Sequence, residues 1–342
     1  MRYDIRQARA VSLSEKVAFL RRPDIYPDLP QTVQAIETHM SWVFLTERFA
    51  YKLKKPVSYS FLDFGTQQAR ALFCAEEVRL NRRLAPDIYL GVSRLGVDDS
   101  GALTLDSDAS TVETLVRMKR LPGERMMDRL IVVQQLSRSE ADRVGETLAH
   151  FYAGLPAEPV GAARYLARFE QRIEEDAAAV MHPWQTPSAV ALTALFERQL
   201  RYLARRRALF ELRIHEGRVV EGHGDLRPEH VCLDGAPRII DCLEFNRELR
   251  IVDPVEELAF LSLECERAGA AWVEAALFAA HARIGGDAAP PDLIAFHKVR
   301  RACTRARLCA WHVGEPGPRG VEHWLRRTRD YLEFAASYSR RL

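Results

Sequence analysis

Two lone aspartates, each in a turn-like context after a short apolar strand, constrain this chain most. They are Asp225 in His223-Gly224-Asp225-Leu226-Arg227-Pro228-Glu229-His230 and Asp241 in Arg238-Ile239-Ile240-Asp241-Cys242. Runs this short, broken by Gly, Pro and charge, leave room for strand ends and turns but not for a helix. Phosphoryl transfer needs one carboxylate to orient or deprotonate the attacking hydroxyl and another to hold the magnesium that bridges the phosphates. Asp225 and Asp241 are the candidates for those two tasks. The plainer explanation, that both are turn residues and helix caps, competes with this one.

A third element follows at close spacing: Asp253-Pro254-Val255-Glu256-Glu257-Leu258-Ala259. With His223-Gly224-Asp225-Leu226 and Ile240-Asp241 before it, the chain resembles the aminoglycoside phosphotransferase family of kinase-like enzymes, choline kinase relatives included. In that family a loop of the form HGDLxxxN precedes a hairpin ending in IDF or IDW, and a GDPxxDLA stretch comes next. The resemblance implies an α+β, protein-kinase-like two-lobe fold. A small antiparallel-sheet N-terminal lobe would span residues 1–120 and a larger, mostly helical C-terminal lobe residues 121–342. It also implies ATP and Mg2+ as cofactors, a small-molecule hydroxyl as acceptor, Asp225 as the catalytic base and Asp241 as a metal ligand. His223 and Asp253 would brace the loop.

Two residues depart from that pattern. His230 stands where the family carries Asn, and an imidazole is a softer ligand than the oxygens magnesium prefers. His230 therefore makes a weak metal contact, works through a water, or serves as a structural hydrogen-bonder. Arg227 is unusual beside the base, where a phosphate contact and a structural ion pair are both open to it.

The N-terminal part supplies candidates for gripping a nucleotide. Trp42–Thr46 and Phe49–Leu53 are apolar, aromatic and β-branched runs around a short Glu47-Arg48 turn, so they read as a hairpin. Strand side chains alternate faces, which puts Ala50 and Lys52 together in a small-residue-then-lysine spacing. Lys52 is the preferred phosphate-binding lysine; Lys54 shares its face and Lys55 lies close. The next helix, from about Thr66 to Leu84 with Thr66 as its cap, offers Glu76 and Glu77 as partners for that lysine. Leu80 and Leu84 place Glu77 beside the buried stripe.

A first strand at about Val33–Glu37 is followed by Thr38-His39-Met40-Ser41, which has no glycine-rich character. Thr38 and Ser41 are candidates for offering amide and hydroxyl groups to a phosphate, against the simpler role of closing a turn. Absence of GxxxxGK[ST] argues against a P-loop kinase. After a strand at about Glu113–Met118, Lys119-Arg120-Leu121-Pro122-Gly123 resembles the hinge between lobes. The resemblance implies the Lys119 carbonyl and the Leu121 amide as adenine partners.

Composition bounds the rest. The 342 residues are 47% hydrophobic, enough for a sizeable core, and 49 basic against 47 acidic residues give a net charge of +2, so bulk nucleic-acid binding is not implied. No apolar run is long enough to span a bilayer, and Met-Arg-Tyr-Asp-Ile-Arg-Gln lacks a signal-peptide core, so no membrane partner and a cytoplasmic location are expected. Six cysteines at irregular spacings read as reduced and buried. Capping boxes at Ser12/Glu15 and Ser137/Glu140 open two helices. Leu192 to Phe210 read as one long helix, with Arg201, Arg205, Arg206 and Arg207 on a solvated side. Two more helices follow at Leu258–Gly269 and Ala270–Arg283, before a loop from Gly285 to Pro291.

From His297 to Leu342 eleven Lys or Arg stand against four Asp or Glu, Arg300, Arg301 and Arg305 among them. This is a local excess that would suit an acidic substrate, offset by the acidic Glu256, Glu257, Glu264 and Glu266. Two alternatives stay open, a nucleotide-binding pseudokinase or regulatory scaffold and a protein kinase. The short span between Asp241 and Asp253 leaves little room for the activation segment a protein kinase needs. Oligomeric state and the identity of the acceptor are open.

Overall fold

The computed structural model describes residues 11–59, 62–181, 188–314 and 320–342. They divide into two units: the chain up to Met126 together with His230–Glu248, and Met127–Glu229 together with Leu249–Leu342.

The first unit is built on a six-stranded antiparallel sheet. A capping box starts α1 (Leu13–Leu20), in which the Glu15 amide donates to Ser12 Oγ and the Ser12 amide to Glu15. There follow β1 (Gln34–Glu37), β2 (Ser41–Leu45) and β3 (Phe49–Lys54), then a side ribbon of β4 (Ser58–Tyr59) and β5 (Leu62–Asp63). After α2 (Gln67–Asn81), capped by Thr66, come β6 (Tyr89–Val97), β7 (Leu103–Leu105) and β8 (Ser110–Lys119). The sheet order is β1-β2-β3-β8-β6-β7.

Alternation along β3 sorts its side chains between two cores. Tyr51 and Leu53 join Phe44, Leu95 and Leu115 beneath Phe19, Leu20 and Tyr26 of the α1 region. Ala50 faces the other way, toward Cys74 and Val78 of α2, with Val116, Met118 and Tyr89. Lys52 and Lys54 share the α2 side with Ala50, so the two lysines project where the helix passes. The same unit takes in the hairpin of β10 (Val231–Cys232) and β11 (Arg238–Ile239).

The second unit is mostly helical. Its helices are α3 (Met127–Val132), α4 (Arg138–Ala153), α5 (Ala162–Val180), α6 (Ala189–Arg205), α7 (Arg207–His215), α8 (Pro254–Arg267), α9 (Val273–Gly285), α10 (Pro291–Trp311) and α11 (Gly320–Ser339). A two-stranded ribbon of β9 (Val220–Glu221) and β12 (Ile251–Val252) flanks the loop that carries Asp225. Phe169, Tyr202, Phe210 and Phe296 meet at the centre of the helical core.

The single long helix read over Leu192–Phe210 is two helices here. Arg206 leaves helical geometry at φ −102° and ψ 13°, and its guanidinium pairs with Asp292 at 2.9 Å. No Gly or Pro marks that break, so local propensity carries no sign of it. The pair read at Leu258–Gly269 and Ala270–Arg283 begins and ends a few residues away, because Asp253 caps α8 before Pro254 and Gly269 turns the chain at φ +100°. All six cysteines are free and buried.

Candidate active site

Register sets the first group of candidate residues. In β3 Lys52 stands opposite Val43 on one side and Val116 on the other. From there its ammonium reaches Glu77 Oε1 at 2.9 Å and Asp241 Oδ1 at 2.7 Å. Glu77 is fully buried on the inner face of α2, whereas Glu76 turns to Arg79 on the outer face. Lys54, itself 1% exposed, donates to Glu77 Oε2 at 2.6 Å and also pairs with Glu244.

Two lysines two residues apart thus hold opposite oxygens of one carboxylate. Burial alone would push the Glu77 carboxyl up, but the Lys52 and Lys54 charges outweigh it and hold the group below the usual range. Glu244 goes the other way, pushed up by burial that Lys54 only partly offsets. Neither Lys54 nor Glu244 had a signal of its own in the sequence beyond Lys54's shared strand face.

Asp241 closes the β10/β11 hairpin. Its backbone sits at φ +63°, a left-handed conformation that costs a non-glycine residue roughly 1–3 kcal/mol and is maintained by surrounding bonds. Those bonds are specific. The Asp241 amide donates to the buried Tyr89 hydroxyl at 3.2 Å, and the Cys242 amide donates to Asn81 Oδ1 at 2.9 Å. Asn81 in turn donates to the Glu77 carbonyl at 2.8 Å, strapping the last turn of α2 to the aspartate's turn. Asn81 was not legible as a site residue; its position in the helix register one turn after Glu77 was the available clue.

His230 precedes β10, and its carbonyl accepts the Ile240 amide at 2.9 Å, which brings the imidazole to Asp241. His230 Nε2 lies 3.6 Å from Asp241 Oδ2, beyond direct hydrogen-bond range, with the ring nearly buried and the carboxylate 45% exposed. Among the described residues no group of three or more His, Cys, Asp or Glu forms a metal cage by itself.

Thr38 and Ser41 close the turn between β1 and β2 on each other. The Ser41 amide donates to Thr38 Oγ1 at 3.0 Å, and the Thr38 hydroxyl and amide both donate to the Ser41 carbonyl. Lys119 ends β8 opposite Phe49, and its amide donates to the Ile88 carbonyl at 2.9 Å. Leu121, like Ile240, packs onto the apolar cluster around Ala50 and Met118.

The second group of candidate residues belongs to the helical unit. Gly224 adopts φ +91°, which only glycine takes at no steric cost, and the turn it makes sets Asp225 after it. The Asp225 amide donates to His223 Nδ1 at 3.3 Å. Beneath the loop Glu257, fully buried, accepts the His223 amide at 2.8 Å, the Gly224 amide and the Tyr152 hydroxyl at 2.8 Å. A Cβ on Gly222 would fall 2.6 Å from the Glu257 carboxylate, so glycine is needed for the loop to approach it. Burial pushes the Glu257 carboxyl up, and the amide bonds offset this only in part. Glu257 occupies the acidic position of the DPxxDLA-like stretch, which is the signal that would have found it.

Arg227 clamps the candidate base. Its Nε and Nη2 lie 3.0 and 2.9 Å from Asp225 Oδ2, and Nη1 pairs with Glu229. Asp253 stands apart from that contact: it caps α8 through the Val255 amide and pairs with Arg213, which also holds Asp287.

The charged residues read as an acceptor surface are largely internal. Glu256 is 1% exposed and paired with Arg300 and Arg301, whose charges hold its carboxyl far below the usual range against the burial that would raise it. Arg301 also reaches the Gly224 carbonyl at 3.4 Å. Glu256, Glu257 and Arg300 are therefore closed to solvent, and Arg301 keeps only 11% of its side chain exposed. They could not be read as buried because α8 and α10 are enclosed on most of their circumference. Arg201 and Arg207 are exposed and pair along their helices with Glu197 and Glu211. Glu315, Arg319 and the first ten residues lie outside the described residues. Among the described residues no helix is long and apolar enough to cross a membrane.

Comparison with known proteins places these features. The sequence model of a family described as "Phosphotransferase enzyme family" matches residues 66–293. An uncharacterized protein of Mycobacterium tuberculosis (strain ATCC 25618 / H37Rv) is 30% identical over 275 residues, covering 80% of this chain and 53% of that protein. An uncharacterized protein of Mycobacterium bovis matches to the same extent, so the chain spans about half the length of the curated relatives it matches. Among solved structures, a choline/ethanolamine kinase family protein from Mesorhizobium loti superposes with a TM-score of 0.52 at 14% identity, over 95% of this chain and 99% of that one. A choline kinase from Streptococcus pneumoniae gives a TM-score of 0.52 at 14% identity, over 94% and 99%. At that identity the likeness is one of fold, and the fold is the kinase-like one, a sheet-based part and a helical part.

Proposed function

Because the chain belongs to the phosphotransferase enzyme family, we propose that it transfers the γ-phosphoryl group of ATP, taken as its magnesium complex, to a hydroxyl of a small molecule. The observation that carries this reading is the bridging of Glu77 and Asp241 by Lys52. A lysine so held is a fixed positive charge that exchanges its Asp241 contact for the α and β phosphates while Glu77 keeps it in place. The adenine lies on the apolar cluster of Ala50, Met118, Leu121 and Ile240, with the Lys119 carbonyl and Leu121 amide as its polar partners.

Asp241 fits a magnesium ligand. Magnesium commonly takes one or two carboxylates, the substrate phosphates and waters, so a single half-exposed carboxylate suffices and His230 need not ligate directly. Bound there, the ion supplies positive charge against the negative charge that develops on the transferred group. Asp225 orients the acceptor hydroxyl and takes its proton. Glu257, through the His223 and Gly224 amides, holds the loop that carries Asp225, and Asp253 ties down the start of α8.

A second reading is favoured by one contact, the two-pronged hold of Arg227 on Asp225. A base neutralised in this way suits a pseudokinase that binds nucleotide without transfer, and His230 in place of Asn points the same way. Incubation with γ-labelled ATP, magnesium and a metabolite extract separates the two. Label entering a small molecule with wild type but not with Asp225→Asn supports transfer. Nucleotide binding by both proteins without labelled product overturns it in favour of the pseudokinase.

A further inference from the structure

Three helices of the second unit bring guanidiniums to one tyrosine. Tyr331 of α11 donates its hydroxyl to Glu264, 2.8 and 3.1 Å from the two carboxylate oxygens. The same hydroxyl accepts from Arg305 Nε of α10 at 3.4 Å and from Arg327 Nη2 of α11 at 3.2 Å. Arg267 at the end of α8 lies over the ring, 3.9 Å from its centroid, and pairs with Glu264 at 3.2 Å. Arg305 and Arg327 each lie 5.7 Å from the same centroid.

Arg267, Arg305 and Arg327 thus gather around Tyr331 and Glu264, and with Arg227 beside them four guanidiniums face the three carboxylates of Glu264, Asp225 and Glu229, a local excess of positive charge in a partly buried place. Arg305 approaches Glu264 no closer than 3.8 Å, and Arg327 Nε is buried with no hydrogen-bond partner among the described residues. Elsewhere in the unit one cation, Lys298, meets both Glu266 and Glu274, and the guanidiniums of Arg300 and Arg301 share a Glu256 that is closed to solvent.

The cluster also adjoins the candidate base. Arg305 interacts electrostatically with Asp225, and Arg227, the residue on Asp225, interacts with both Arg305 and Glu264. The carboxylates nearest Arg227, Asp225 and Glu229, are both engaged with it and offset the arginine charge only in part. Guanidiniums match phosphate oxygens in fork geometry, and a phosphate monoester, at about −1.5 to −2 charge at pH 7, brings the negative charge that this cluster lacks.

We propose that the acceptor is a phosphate monoester retaining a free hydroxyl, its phosphate held by Arg267, Arg305 and Arg327 around Tyr331 while the hydroxyl meets Asp225. This rests on the phosphotransfer reading above and narrows it to one substrate class. In the step itself the hydroxyl oxygen bonds to the γ-phosphorus of ATP, the bond to the β–γ bridging oxygen breaks, ADP leaves, and the hydroxyl proton passes to Asp225. The ester phosphate is unchanged.

The test is equilibrium binding with the nucleotide site saturated by Mg-ADP, so that nucleotide phosphates are not the occupant, using glycerol 3-phosphate, ribose 5-phosphate and glucose 6-phosphate against glycerol, ribose and glucose. The expected result is that at least one ester binds while its parent alcohol does not. That binding weakens with added salt in wild type, and Arg305→Gln and Arg327→Gln lose about tenfold or more, the scale of a lost charge-assisted bond. Unchanged ADP affinity in the same variants reports that they are folded, and the wild-type salt dependence needs no variant at all. Esters that bind no better than their parents, or equally well to the glutamine variants, overturn the site. A simple carboxylate such as glycerate binding with the esters excluded overturns the phosphate assignment.

Labelled ATP then separates the two claims. Esters bound through the arginines but never labelled by any acceptor overturn the phosphotransfer reading and leave the docking site standing. Transfer to neutral or cationic alcohols with the esters ignored overturns the substrate class and leaves phosphotransfer standing.

Discussion

Glu77 and Glu257 are both fully buried, and each organises one group of candidate residues, yet they are satisfied by opposite means. Glu77 is held by two lysine charges, whereas Glu257 is held by two backbone amides and a tyrosine hydroxyl. The consequence is visible in their acidity, lowered for Glu77 and raised for Glu257, burial opposing ionisation in both. A carboxylate held by cations is part of a charge balance that a phosphate is able to enter. One held by neutral donors fixes backbone and does not change partners. The difference separates a grip for ligand from a support for a loop.

The largest effect expected from breaking this contrast lies at Glu257. Replacement by leucine strands the His223 and Gly224 amides and the Tyr152 hydroxyl, and at about 1–3 kcal/mol for each buried unsatisfied donor the cost is on the order of 4 kcal/mol. Denaturant unfolding should register this, with loss of the Asp225-dependent reaction. Glu257→Gln retains an acceptor oxygen and should cost about 1 kcal/mol. If glutamine proves as damaging as leucine, the loop needs a charge and the contrast with Glu77 fails.

Glu77→Gln comes next. Breaking a buried pair typically costs about 3–5 kcal/mol, but here Lys52 keeps Asp241 and Lys54 keeps Glu244, so about 2–3 kcal/mol is expected. Nucleotide affinity should fall as well, because Lys52 then rests on Asp241 alone. A variant as stable as wild type would mean that the remaining carboxylates carry the whole balance.

Acidity sharpens the comparison with a smaller effect. The lowered Glu77 contributes stability that is present above the ordinary glutamate value of 4.5 and is lost as pH falls through its lower folded value. The raised Glu257 contributes stability that is fully present below 4.5 and is lost as pH rises through its higher folded value. Between about pH 4 and about pH 7 the deficit of Glu77→Gln should therefore hold or widen and that of Glu257→Gln should shrink, by up to about 1.4 kcal/mol for every tenfold difference in proton affinity between the folded and unfolded chain. Parallel curves of unfolding midpoint against pH would remove the distinction.

Some of this arrangement is legible in the chain and some is not, for physical reasons. Local signals translate directly: Ser12 with Glu15, Ser137 with Glu140 and Thr66 each cap the helix they precede, because a cap depends on residues three apart. Period-two alternation likewise places Ala50 and Lys52 on one side of β3. What escapes is any bond between distant segments. Glu244 on Lys54 and Asn81 on Cys242 follow from how segments meet, and no spacing announces them. Buried charge escapes too. Glu256, Glu257 and Arg300 look like surface in a sequence and are internal, since α8 and α10 are enclosed, Glu256 is balanced by Arg300 and Arg301, and Glu257 is satisfied by two amides and a tyrosine hydroxyl.

Lys54 is the residue on which alternation alone cannot decide, since it shares its strand face and its partner Glu77 with Lys52. The structure separates them by their second contacts: Lys52 reaches the half-exposed Asp241, Lys54 the buried Glu244. An ammonium that exchanges a carboxylate for a phosphate must have the exposed one, so Lys52→Met should lower kcat/KM for ATP by about a hundredfold or more. Lys54→Met should cost only about 1 kcal/mol of stability, because Glu244, its carboxyl already pushed up by burial, takes a proton once the lysine is gone. Its activity should stay within about tenfold of wild type, the loss reflecting a less firmly held Glu77. The reverse pattern, Lys54→Met inactive and Lys52→Met active, would assign the phosphates to Lys54 and make the Lys52–Asp241 pair the structural one.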